Sequence, residues 1–108
     1  VDMRTEAKVA AADGVYGAAQ SAAALNHAKY LVTEDETATP AGAFITSGSE
    51  LLDALDGTPE GWVAGTTDTN EICFDDNDDS DCTAADDYII TIDTDEDDTQ
   101  KAALSKGW

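Results

Sequence analysis

Between residues 31 and 100 this chain contains no base at all, while the same stretch carries 21 acidic residues. The full 108 residues hold five bases, Arg4, Lys8, Lys29, Lys101 and Lys106, against 24 acids, for a formal net charge of −19. A polyanion lacking a separate basic face is repelled by phosphate backbones, so no nucleic acid partner is expected. Aromatic residues make up only 6% of the chain, and much of its apolar fraction is alanine. Any core must therefore be small. There is one histidine, His27, so a single chain cannot build a histidine-based metal site. His27 reads as an ordinary helix-surface residue. No phosphate-binding glycine loop, nucleophile elbow or N-glycosylation sequon occurs, and the paired carboxylates lie in polar runs with no apolar pocket to tune them. No enzyme is expected. No apolar run is long enough to cross a bilayer and no signal peptide is visible. The sequence opens on Val1 rather than an initiator methionine, which predicts that an N-terminal piece has been removed.

What is present suits one domain over 1–108. The two cysteines, Cys73 and Cys82, stand nine positions apart without the paired spacing of a zinc site, and a disulfide is the natural reading. It implies an oxidising compartment. Residues 1–31 lack proline and place ten alanines between Ala7 and Ala28, which predicts one long helix. Val9, Ala12, Tyr16, Ala19, Ala23 and Tyr30 form one stripe at helical spacing, suited to packing on the domain. Met3, Ala7, Ala10, Gly14, Gly17, Ser21, Ala24 and Ala28 form a second stripe. Its small residues would let another backbone approach.

Beyond the helix, residues 33–42 carry loop chemistry, and 47–57 read as a short helix with a serine cap, apolar Leu51, Leu52 and Leu55, and a closing glycine. Strands are expected at 61–66, 71–74 and 88–94, joined in a small antiparallel sheet. Residues 99–108 could form a last helical turn or a docked tail. The expected fold is α+β, a long N-terminal helix packed on that sheet.

The run from Asp75 to Asp81 invites a calcium reading, with Asp75, Asn77 and Asp79 at alternating positions and Asp86 where the last ligand of an EF-hand loop would fall. Ser80 stands where that loop needs glycine, Asp86 is shorter than the bidentate glutamate, and the disulfide would cut across the segment. A solvated acidic loop is the preferred reading, with calcium as the alternative. The run from Asp93 to Asp98 is read in the same way.

One long helix, a loop, a small antiparallel sheet and a disulfide loop occur here in the order found in type IV pilins. Val1-Asp2-Met3-Arg4-Thr5-Glu6-Ala7-Lys8, followed by Gly14, Gly17 and Ala18, resembles the second half of the pilin helix, especially in pilins of the mannose-sensitive haemagglutinin type. The family's defining processed, methylated N-terminus and apolar half-helix are not in this sequence. The resemblance implies a soluble headgroup whose missing half-helix anchors it in the inner membrane before assembly. It further implies a homopolymeric extracellular pilus (fimbrium) built by the type IV pilus assembly machinery and serving adhesion, attachment or motility. Catalysis would then belong to separate assembly ATPases and a peptidase. Ala7, Ala10, Gly14 and Gly17 are the expected subunit interface, with Arg4 and Lys8 meeting acidic loops of neighbouring copies. One departure is that Cys73 and Cys82 both precede the 88–94 strand, whereas many pilins enclose their last strand in the disulfide. The alternatives are a pseudopilin of a type II secretion system and a free-standing secreted acidic calcium-binding module.

Overall fold

A computed structural model describes residues 3–55, 57–74, 82 and 88–108, with side chains described from residue 6 onward. Helix α1 runs Met3–Thr33, and at a rise of about 1.5 Å per residue it accounts for the 48 Å long axis of the molecule. Ala12, Ala19, Ala22, Ala23 and Asn26 are buried, with Val9, Tyr16 and Tyr30 half-buried beside them, so the predicted inward stripe is the one that packs. The helix stops where Glu34 turns left-handed (φ 55°) and its N–H donates to the Tyr30 carbonyl at 2.7 Å.

A 3₁₀ turn, Glu36–Ala38, begins the loop that leads to helix α2, Gly48–Ala54. Ser47 caps α2 by accepting from the Glu50 N–H, and Gly57 follows with φ 85°. Gly48 has a packing reason: a Cβ there would collide with the Glu71 carbonyl.

Four strands form an antiparallel meander in the order β1 (Trp62–Ala64), β2 (Glu71–Phe74), β3 (Ile89–Thr94) and β4 (Ala103–Lys106). Ile72 pairs with Ile90 in the β2–β3 register, and Ile92 with Leu104 in the β3–β4 register. Ile45, Leu51, Ile72 and Ile90 are wholly buried and, with Trp62, Tyr88 and the alanines of α1, make the core between helices and sheet. The architecture is the expected α+β arrangement.

The C-terminal segment differs from both expectations for it. It is neither a helical turn nor a docked tail but strand β4, because the free edge of β3 offers unpaired backbone groups that this segment satisfies. Cys73 and Cys82 are bonded, with Cα atoms 5.7 Å apart and both residues buried, which ties residue 82 to the centre of β2.

Candidate subunit-packing surface

The outward stripe of α1 follows from helical spacing once the inward stripe is buried. Ala7, Ala10, Gly14, Gly17, Ser21, Ala24 and Ala28 are all exposed, as is Lys8. Arg4 lies on α1, and its side chain falls outside the described residues. A Cβ added at Gly14 or Gly17 would meet nothing within 4 Å among the described residues. Their own fold therefore gives no reason for glycine there, although glycine inside a helix is less stable than alanine by about 1 kcal/mol.

Beside this stripe runs an apolar groove of about 510 Å³, walled by Gly14, Val15, Ala18 and Leu25 of α1 and by Leu55 and Pro59 across from it. A smaller cavity of about 240 Å³ adjoins it, sharing Val15 and Pro59, with Trp62 and Tyr88 in its lining and Lys8 and Glu60 as its charged members. Leu25, Leu31 and Val32 are exposed large apolar residues on the same helix, Val32 at 82%. A helix flank that presents apolar groove, small residues and exposed leucine together can bury area against another chain.

Two polar clusters fix α1 to the rest. At its N-terminal half, Asp13 Oδ1 accepts from Lys106 Nζ and from Trp108 Nε1, both at 2.9 Å. The Lys106 hydrogen bond, seconded by that of Trp108, holds the Asp13 carboxyl below the usual carboxylate range. Trp108 stands edge-on to Tyr16 and Tyr88, and Tyr16 Oη donates to the Leu104 carbonyl at 3.2 Å. At the C-terminal half, Asn26 and His27 meet Glu96. Asn26 Nδ2 donates to Glu96 Oε1 at 2.8 Å, and His27 Nδ1 lies 3.3 Å from Oε2.

This second cluster corrects the sequence reading twice. His27 is half-buried in an ion-pair geometry rather than a plain surface residue, and Glu96, read as part of a solvated run, is only 2% exposed. Strand β3 ends at Thr94, and the chain then crosses over α1, which turns that one carboxylate inward. Asp93, Asp95, Asp97 and Asp98 stay exposed, as expected. The proposed calcium ligands Asp75, Asn77, Asp79 and Asp86 lie outside the described residues. Among the described residues no group of three His, Cys, Asp or Glu side chains is placed to hold a metal ion, and no helix is long and apolar enough to cross a membrane.

No family model matches the chain, and no curated protein or solved structure matches it.

Proposed function

We propose that this chain is the extracellular headgroup of a type IV pilin-like protein, a structural subunit that polymerises through the outward face of α1. The observation that carries the reading is the exposure of Gly14 and Gly17, with no described atom near either, on a helix of 31 residues beside an apolar groove. Glycines that serve no intramolecular contact suit close approach by a neighbouring subunit's helix. The order of elements supports the same reading, as does the sequence flavour of residues 1–31. In this reading the chain does no chemistry of its own. Arg4 and Lys8 meet acidic loops of adjacent copies and set register, each contact contributing on the order of 1 kcal/mol or less where exposed.

The test is fibre yield from cells expressing the full-length protein. Gly14→Leu with Gly17→Leu fills the space over the stripe, and Arg4→Glu with Lys8→Glu reverses the basic end. Each pair should reduce the fibres sheared from the cell surface while leaving the melting temperature of the isolated domain within a few degrees of wild type, since Gly14, Gly17 and Lys8 are exposed. Normal fibres from both double variants would sink the proposal.

A further inference from the structure

Glu96 is the only charged side chain buried among the described residues, and its carboxylate is wholly withdrawn from solvent. Among the described residues, every group that reaches it is a donor or can be one. Asn26 Nδ2 and the Ile45 N–H donate to Oε1 at 2.8 and 2.9 Å, and His27 Nδ1 lies 3.3 Å from Oε2. Asn26 also grips the irregular segment 39–45. Its Nδ2 donates to the Ala43 carbonyl at 3.1 Å, and its Oδ1 accepts from the Ala41 N–H at 2.9 Å. The Glu96 N–H completes the tie by donating to the Ile45 carbonyl at 3.0 Å. One amide and one carboxylate thus strap residues 39–45 across α1. Phe44 of that strap stands edge-on to Tyr30 at 4.7 Å, and Tyr30 stacks on His27 at 6.2 Å.

We propose that this cluster is an acid-operated catch, in which ionised Glu96 holds the 39–45 strap on α1 and protonation of Glu96 releases it. A carboxylate only accepts, so it matches three donors, whereas the protonated acid turns one oxygen into a donor. A doubly protonated His27 ring would turn its Nδ1–H toward that new O–H, donor against donor. Its charge would also lose the counterion at a ring only 13% exposed. Among the described residues, Glu50 accepts from the Thr46 N–H at 3.1 Å just past the strap and Asp35 caps the 3₁₀ turn before it, and neither reaches residues 39–45. The strap itself, residues 39–45, has no ionisable side chain. Lys29 on α1 is exposed, Tyr30 is engaged with Phe44, and Asp95 and Asp97, which flank Glu96, face solvent. Protonation of most exposed acids relieves self-repulsion, whereas Asp35 and Asp97, held low by hydrogen bonds from Thr37 and Thr99, loosen their own turns in acid; those turns lie outside residues 39–45, so the Ala41 and Ile45 amides distinguish release of the strap.

The experiment follows the amide and side-chain signals of the intact chain by nuclear magnetic resonance. The pH is lowered stepwise from neutral into acid, in about 1 M salt to screen the surface. The Ala41 and Ile45 amides and the Asn26 side-chain amide should move together, and the Tyr30–Phe44 contact should fade, while amides of β2 and β3 stay folded. The open-to-closed ratio of the strap should rise about tenfold or more, as expected for losing one charge-assisted hydrogen bond. Glu96→Gln keeps an oxygen for Asn26 and Ile45 but cannot titrate, and it should abolish the transition. The same transition in Glu96→Gln, a wild-type strap that stays closed in acid, or loss of strap and sheet together would each overturn the proposal. Should Glu96→Gln fail to fold, His27→Gln is read instead. That variant keeps Glu96 and should still release its strap in acid, and the Glu96 carboxyl carbon is followed by its chemical shift in the same titration: a strap that opens while that carboxyl is still ionised, or stays shut once it is protonated, overturns the catch.

Discussion

Individual residues in this molecule separate into those whose identity its own fold demands and those it does not. Gly48 is demanded, because a side chain there would strike the Glu71 carbonyl, and Gly48→Ala should destabilise strongly in a denaturant titration. Gly14 and Gly17 are not. Gly14→Ala and Gly17→Ala should each stabilise the isolated domain by about 1 kcal/mol in the same measurement, and a loss of stability from either would mean that the glycine has an internal role. Glu34 is the one described non-glycine residue at positive φ, so Glu34→Gly should be neutral or stabilising by up to about 1 kcal/mol. Asp13 adds a pH signature. Its carboxyl is held low by Lys106 and Trp108, so its contribution is present above the unfolded-state value and disappears as pH falls through the folded one. Asp13→Asn should therefore lower the melting temperature at neutral pH and converge with wild type in acid. A gap that stays constant with pH would show that the clasp acts through packing and not through charge.

At the scale of elements, legibility in the sequence follows how local the signal is. Helix α1 was readable because alanine spacing and the absence of proline are local facts, and its inward stripe is the buried one. Helix α2 carried its own punctuation in Ser47 and Gly57, and β1, β2 and β3 carried β-branched and aromatic residues between turns. Strand β4 did not. Ala103-Leu104-Ser105-Lys106 has weak strand character, and it is extended because β3 supplies a template, a fact located elsewhere in the chain. Glu96 was hidden for the same reason, since the run from Asp93 to Asp98 looks uniform until the crossing over α1 selects one member. The open face around Gly14 and Gly17 was legible as a pattern, but the groove beside it needed Leu55 and Pro59, which only the tertiary fold brings opposite α1. The disulfide was legible from cysteine number and spacing. With Cys73 at the centre of the sheet and Cys82 buried against it, replacing both by serine should lower stability by about 2 to 3 kcal/mol without changing the far-ultraviolet spectrum of the folded state.

Over the whole molecule the dominant fact is 24 acids against five bases around a core assembled largely from alanine and a few isoleucines and leucines. Among the described residues the bases are poorly deployed to offset this: Lys106 pairs with Asp13 at the surface, and Glu96 finds its partner in His27 rather than in a lysine or arginine. Most carboxylates therefore repel one another through solvent, and compacting them opposes the modest hydrophobic gain of a small domain. Repulsion of this kind is screened by any salt. Between about 0.01 M and about 1 M ionic strength the screening length falls from about 30 Å to about 3 Å. Sodium chloride and potassium chloride should thus raise the melting temperature to the same extent, by several degrees or more, with most of the gain below about 0.2 M, where the screening length drops under about 10 Å. A bound cation would behave otherwise. If the segment holding Asp75, Asn77, Asp79 and Asp86 takes calcium, millimolar calcium chloride should stabilise far beyond sodium chloride of equal ionic strength, and the excess should disappear in Asp75→Asn with Asp79→Asn. Equal effects at equal ionic strength would leave diffuse screening as the sufficient cause and the acidic loop as solvated surface. Stability indifferent to all of these salts would mean that the acids are spaced widely enough on the folded surface for compaction to add little repulsion, and the charge argument would fail.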